Sequence, residues 1–527
     1  MDQDSNSQHL WLQLQPPSIF QANPISISFC LFFFFLLLLK LFLSKKQSPN
    51  FPPSPPKLPI IGNLHQLGTL PHQSLASLSN KYGPLMLLKL GQTPTLVVSS
   101  PKVAGEIMKT HDLKFSNRPK TTATNLMFYG CQDVGFAPYG DYWRKAKKMC
   151  VLELFSHKRV ESFQYVRDEE VDILINKIRK RANCSEGLNL TQLLFQISND
   201  IVSRCVLGKK FEDENGKSEF RDVHSRRVME LLAAFCVGDF FPNFGWVDVI
   251  RGVVGEMKKV SKIMDGFFDM VIEDHIIKLK SSDRCDDKKD FVDIMLQQLN
   301  DEDDMFHDHF TRDNLKAILT DMFVGGTDST ATLLEWTMAE LLRNPNTMKK
   351  VQQEIRTIVG KNKTKVETKD INKMEYMKCV MKESLRLHPS LPLLVPRETT
   401  TDVVDIEGYH VAAGTSVFVN VWAIQRDPKI WENPNQFIPE RFMEENKSII
   451  DFKGSDFELV PFGSGRRKCP GIGFGSAAYE CVLANLLYWF DWKMVEDMKG
   501  ETLDMTEEHG ITVHKKFPLC LIPLPYN

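Results

Sequence analysis

The sequence predicts a mainly α-helical globule with small β-sheets, a single large domain behind one N-terminal apolar helix. Three observations predict it: an apolar run over 25–43, helical periodicity over most of the chain beyond Ile60, and strand-like runs confined to the two ends of that region. A length of 527 residues alone would suggest several domains, but no linker-like stretch follows residue 60, so 60–527 reads as one unit. The formal net charge of -2 gives no reason to expect a nucleic-acid partner. Eleven cysteines, odd in number and without C-x-x-C spacing, argue against a disulfide framework or zinc ribbon and for a reducing compartment. The sequons at Asn183, Asn189, Asn362 and Asn446 are then expected to go unused.

From Ile25 to Leu43 the only charge is Lys40. As a helix this run is about 28 Å long, close to the ~30 Å hydrocarbon thickness, and Lys40 can reach the interface. Lys45 and Lys46 follow it, whereas the preceding stretch carries Asp2 and Asp4 and no Lys or Arg, so everything from residue 45 is expected on the cytosolic side. The division is a lumenal tail at 1–24, a transmembrane anchor at 25–44, and a basic, proline-rich hinge at 45–59. An uncharged leading stretch and the absence of a small-x-small site argue against a cleaved signal peptide. Phe51-Pro-Pro-Ser-Pro-Pro56 cannot be helical and reads as an extended spacer.

Strand-like runs follow at Leu85 to Leu90, Thr95 to Ser99 and Ser416 to Val421. Between them Ala137-Pro-Tyr-Gly-Asp-Tyr-Trp143-Arg144-Lys145-Ala-Lys147-Lys148 reads as a basic helix carrying one tryptophan. A long helix begins at the N-cap Thr311 and stops at Asn344-Pro345, about 50 Å later. It contains Phe323-Val-Gly325-Gly326-Thr327-Asp328-Ser329-Thr330, and two interior glycines cost roughly 1 kcal/mol each relative to alanine, so they need a reason such as close approach of a flat ligand. Glu383 and Arg386 lie three apart on another helix. Near the C-terminal end Phe462-Gly-Ser-Gly465-Arg-Arg467-Lys-Cys469-Pro-Gly471 presents one cysteine on a glycine-rich turn, beside Arg466, Arg467 and Lys468 and just before an apolar helical stretch. Nearby cations and a helix N-terminus favour a thiolate, the form of cysteine that binds a metal.

The spacing F-x-x-G-x-R-x-C-x-G resembles the haem-binding loop of the cytochrome P-450 superfamily. The other motifs follow in the order of that family, in the style of its plant A-type members of family 71. The resemblance implies the cytochrome P-450 fold and haem b, with Cys469 as axial iron ligand. Phe462, Gly325 and Gly326 would lie against the macrocycle, and Trp143, Lys147, Arg397 and Arg467 would contact its propionates. Asp328 and Ser329 would relay protons to dioxygen beside a local opening of the long helix. Glu383, Arg386 and Arg441 would form a buried structural triad. Substrate would meet Met322, Phe323, Leu393, Leu394, Val395, Ile511 and Thr512, with further contacts from 121–133 and 231–241. The implied activity is a monooxygenase fed by NADPH through a flavoprotein, the NADPH-cytochrome P-450 reductase, docking on Lys145, Lys147, Lys148, Arg466 and Lys468. Its substrate would be a small lipophilic plant metabolite such as a terpenoid, phenylpropanoid, alkaloid or oxime. Its location would be the endoplasmic reticulum membrane, single-pass, among membrane lipid, with the catalytic domain cytosolic. A haem-thiolate dehydratase or isomerase without net oxygenation is the alternative.

Overall fold

The computed structural model describes residues 50–526 apart from 183–186, 211–226, 281–287, 301–309, 362, 364, 445–449 and 496–499, together with Phe32, Phe33 and Phe35. The expected anchor and the lysines after it lie almost wholly outside the described residues; Phe32, Phe33 and Phe35 are helical. Among the described residues no single helix is long and apolar enough to cross a membrane. From Phe51 onward the chain forms one compact unit. The proline segment belongs to that unit. The Leu87 amide donates to the Pro53 carbonyl at 2.9 Å and the Asn63 side-chain amide to the Pro56 carbonyl at 3.2 Å, so prolines that cannot donate still anchor the segment as acceptors.

One four-stranded sheet carries β1 (Leu85–Leu90), β2 (Thr93–Val98), β3 (Arg397–Glu398) and β4 (Ser416–Val419) in the order β1-β2-β4-β3. β1 and β2 pair antiparallel with Leu85 opposite Val98, β2 runs parallel to β4, and β3 is an antiparallel edge. The run expected as a strand to Val421 ends at Val419. The Asn420 side chain accepts from the Ala423 amide and opens a short helix there, an N-cap overriding strand propensity.

Helices make up most of the body: α1 (Asp141–Met149), α2 (Leu190–Leu207), α3 (Val253–Lys280), α4 (Arg312–Phe323), α5 (Ser329–Arg343), α6 (Glu375–Leu387) and α7 (Ile472–Trp489) position the site. Thr311 caps α4 as expected, its side chain accepting from the Asn314 amide. α4 and α5 are one continuous rod interrupted by a five-residue π-helical turn, Val324–Asp328, and Asn344-Pro345 ends it. From Thr330 to Leu341 every residue of α5 is buried, the pattern of a helix enclosed on all sides. Its polar groups are paired inside the core: Thr337 with the Tyr479 hydroxyl at 2.9 Å, Glu340 with His388 at 2.8 Å.

α6 carries Glu383 and Arg386, and the short turn Pro439–Phe442 brings Arg441 to them. Glu383 accepts from Arg386 Nε at 2.7 Å and Nη2 at 2.8 Å, and from Arg441 Nε at 3.1 Å, and all three side chains are almost wholly buried. Arg386 also donates to the carbonyls of Gln425 and Pro434, so one guanidinium closes α6 onto two loops. Removing it leaves a buried carboxylate short of a partner and three carbonyls, those of Gln425, Pro434 and Gln436, without donors. Arg386→Met is expected to cost about 3–5 kcal/mol in urea unfolding. By contrast Lys378→Met, which breaks an exposed pair with Glu375, should cost less than about 1 kcal/mol. Equal small losses in both would contradict the structural role of Arg386.

Candidate active site

The cysteine turn is shaped by two glycines in the left-handed region, Gly463 (φ +66°) and Gly465 (φ +68°). A Cβ at Gly465 would lie 2.3 Å from the Met108 carbonyl oxygen and 2.6 Å from Asp112 Oδ1, so the protein's own wall demands glycine there. Gly471, expected to turn in the same way, has an ordinary φ of -87° and serves as the N-terminal boundary of α7. The Cys469 amide donates to the Phe462 carbonyl at 3.0 Å, and the Phe462 ring rests on Phe452, centroids 5.6 Å apart. Burial pushes the Cys469 thiol up, while the Gly471 amide and the charges of Lys147 and Lys468 pull it down. A cationic metal in place of the proton would complete the stabilisation of the sulfur's charge.

Above this turn three buried arginines converge. Arg397 donates to Asp112 at 2.9 Å and to the Ser464 carbonyl at 2.6 Å. Arg467 donates to the carbonyls of Ser116, Val134 and Ala137. Arg118 donates to those of Gly135, Val395 and Pro396. Burial and then the charge of Arg397 bring Arg467 down to about 9, and burial with both neighbours lowers Arg118 well below the usual guanidinium range. Among the described residues, Asp112 is the only carboxylate bonded to any of the three. Such a surplus of buried positive charge fits a bound group that carries carboxylates, as a porphyrin does. Sequence reasoning missed Arg118, which lies in no spaced motif. Trp143 turns its indole N–H to the Val134 carbonyl at 2.9 Å and its face to Arg467, 4.1 Å away. Lys147, expected to reach a propionate and to help form a docking face, is largely buried and donates instead to the Lys468 carbonyl at 2.5 Å. Burial holds its ammonium down to about 8.

On the opposite side lies the break between α4 and α5. A Cβ at Gly325 would meet nothing within 4 Å, so this glycine borders open space. One at Gly326 would lie 3.0 Å from Val202 on α2, so helix packing, rather than a flat ligand, explains the second glycine. Ser329 donates to the Gly325 carbonyl at 2.6 Å, a back-bond within the loosened turn. Asp328 accepts from the Thr512 hydroxyl. Burial raises its carboxyl, and the Thr512 bond and the charge of His514 oppose the rise.

Of the expected pocket residues, Leu394 (φ +53°) lies beside Gly463, Val395 is held by Arg118, and Ile511 sits half-buried next to Thr512. Leu393 packs against the β1–β2 cluster, and Met322 is nearly buried. Phe323 has no exposure and lies against Phe268 of α3, which makes it core.

Residues 52–521 match the cytochrome P450 family model. The chain belongs to the cytochrome P-450 family. It is 52 % identical to cytochrome P-450 71A1 of Persea americana over 88 % of this chain and 91 % of that one. It is 49 % identical to a phenylacetaldehyde oxime monooxygenase of Prunus mume over 96 % and 97 %. A zebra fish cytochrome P-450 solved with abiraterone superimposes with a TM-score of 0.70 at 25 % identity, covering 87 % of this chain and all of that one. The chain is thus a haem monooxygenase similar to plant members of family 71.

A further feature of this cytochrome P-450 escaped sequence reasoning. Asp321, on α4, accepts from the amides of Val134 at 2.6 Å and Gly135 at 3.2 Å, fixing to the long helix the segment whose carbonyls bind Trp143 and Arg467. The fully buried Asp133 crowds the same spot, since a Cβ at Gly135 would lie 3.1 Å from Asp321 Oδ1 and 3.2 Å from Asp133 Oδ2. Burial raises both acids, Asp321 to about 6. An acid with a raised folded-state pKa stabilises the fold below its unfolded value near 3.9, and that contribution is lost as pH rises through the folded value. Stability measured by urea unfolding should therefore fall between about pH 4 and pH 6, and Asp321→Asn should flatten that fall. An identical slope in the variant would contradict the raised Asp321 carboxyl.

Proposed function

We propose that this cytochrome P-450 inserts one oxygen atom into a small lipophilic plant metabolite of the terpenoid, phenylpropanoid, alkaloid or oxime classes. The observation that carries the reading is the π-helical turn at 324–328, with open space at Gly325 and an acid and an alcohol, Asp328 and Ser329, at its end. Cys469 would ligate the haem iron, and Arg397, Arg467 and Arg118 would face the propionates, with Trp143 orienting Arg467. When bound, the haem supplies dioxygen activation, favoured by electron donation from the thiolate. Ser329 and Asp328 would move protons from the protein into the open space at Gly325, the Ser329 hydroxyl turning there from its bond to the Gly325 carbonyl. Ile511, Leu394 and Met322 would present apolar surface to the substrate and exclude water.

Lys148 and Arg466 are exposed, and Lys145 and Lys468 are half-buried; these four form the reading's docking face for an acidic reductase, with Lys147 beneath it. The apolar run at 25–43 would anchor the enzyme in the endoplasmic reticulum membrane, catalytic unit in the cytosol.

A spectral-shift screen of lipophilic plant metabolites against the microsomal enzyme, followed by product identification with reductase and NADPH, tests the substrate class. Oxygenated products are expected; product formed without dioxygen would establish dehydration or isomerisation instead. Cys469→Ala should abolish the carbon-monoxide difference band of the thiolate form, and Ser329→Ala should raise peroxide release per NADPH oxidised. An unaltered band or an unaltered peroxide yield would refute the respective role.

A further inference from the structure

The turn at 510–513 is stitched to the long helix. Trp336 Nε1 on α5 donates to the Val513 carbonyl at 2.9 Å, and the Val513 amide donates to the Ser390 carbonyl at 3.0 Å. Ser390 Oγ in turn donates to the Ser329 carbonyl at 3.1 Å. The turn is tight, since a Cβ at Gly510 would lie 2.5 Å from the Thr512 carbonyl oxygen. Thr512 is 3 % exposed, and its hydroxyl is committed to Asp328 Oδ2. Two separate routes therefore fix this turn against the acid and the alcohol at the helix break, one through Thr512 and one through Ser390.

The choice of a hydroxyl as partner carries chemical meaning. A buried carboxylate that passes protons must be held in both of its protonation states. A lysine or arginine would lock it ionised, and an apolar neighbour would leave it to adopt whichever rotamer its own burial favours. A hydroxyl donates to the carboxylate and accepts from the carboxylic acid, so it keeps one orientation through the cycle. The backbone bonds of Val513 hold that hydroxyl in place from the other side.

We propose that Thr512 is a positioning residue for the proton relay: its hydroxyl orients Asp328 toward the open space at Gly325 and ties that orientation to the turn carrying Ile511. The inference rests on the relay role of Asp328.

The test compares Thr512→Val, Thr512→Ser and Asp328→Asn holoenzymes with reductase and NADPH, with phenylacetaldehyde oxime as probe and with no added compound. Peroxide formed per NADPH oxidised is one readout, and hydrogen–deuterium exchange of the peptide spanning 508–516 is the other. Thr512→Val is expected to raise the peroxide ratio about threefold or more and to speed exchange in the turn, and Thr512→Ser to restore both. The peroxide ratio should rise by a larger factor than the spectral dissociation constant of the probe, because the lost bond is to the acid. Combining Asp328→Asn with Thr512→Val should add nothing to Asp328→Asn alone. If the valine variant loses its haem spectrum, Thr512→Ala takes its place under the same criteria. An unchanged peroxide ratio, or one that rises only in step with weakened probe binding, would make Thr512 a pocket wall and overturn the inference. If Asp328→Asn itself leaves the ratio unchanged, the relay reading falls and the inference with it; if only Asp328→Asn raises it, the inference alone falls.

Discussion

Asp112 is the tie on which the rest of the site depends. One carboxylate oxygen accepts from Arg397 on β3, and the other accepts from the backbone and the side chain of Arg466 in the cysteine turn. The sheet and the turn therefore share a single buried charge. The same carboxylate occupies the space where a side chain at position 465 would stand, which is why the turn must pass that point as glycine. The path of the cysteine turn follows from this contact and from the Cys469 amide bonded to the Phe462 carbonyl.

Around that tie the protein arranges charge in two ways. On one side three guanidinium groups are buried with main-chain carbonyls as most of their partners, which satisfies their hydrogen bonds but leaves their charge in surplus. On the other side carboxyls are buried in excess: Asp133 crowded beside Asp321, and Asp328 held by a hydroxyl. Segment 133–137 runs between the two regions, its amides bound to Asp321 and Asp133 and its carbonyls to Trp143, Arg118 and Arg467. Movement of that segment would disturb both sets of charges at once.

Much of this was legible in the sequence because it lies in short, spaced motifs. The capped helix from Thr311 to Asn344, the Glu383–Arg386 pair and the turn around Cys469 each depend on residues close together along the chain, whereas Arg441, 58 residues from Glu383, was reached only through the family resemblance. What was missed lies in contacts between distant segments. Arg118 meets Val395, Asp133 meets Asp321, and Thr512 meets Asp328, pairs separated by more than 180 residues. No local pattern encodes such a meeting. The glycine at 326 shows the same limit, since its reason is a valine on another helix, and the reach of Lys147 to the Lys468 carbonyl could be read only from the packed turn.

The central claim is that the sulfur of Cys469 is bonded to the iron of a bound haem. X-ray absorption at the iron edge of the purified holoenzyme tests it most directly, because sulfur is distinguishable from nitrogen and oxygen in the inner coordination sphere. The account predicts one sulfur scatterer beside the porphyrin nitrogens, absent when position 469 is changed to histidine. An inner sphere of nitrogen and oxygen alone in the wild-type enzyme, or a sulfur signal that survives that change, would contradict it.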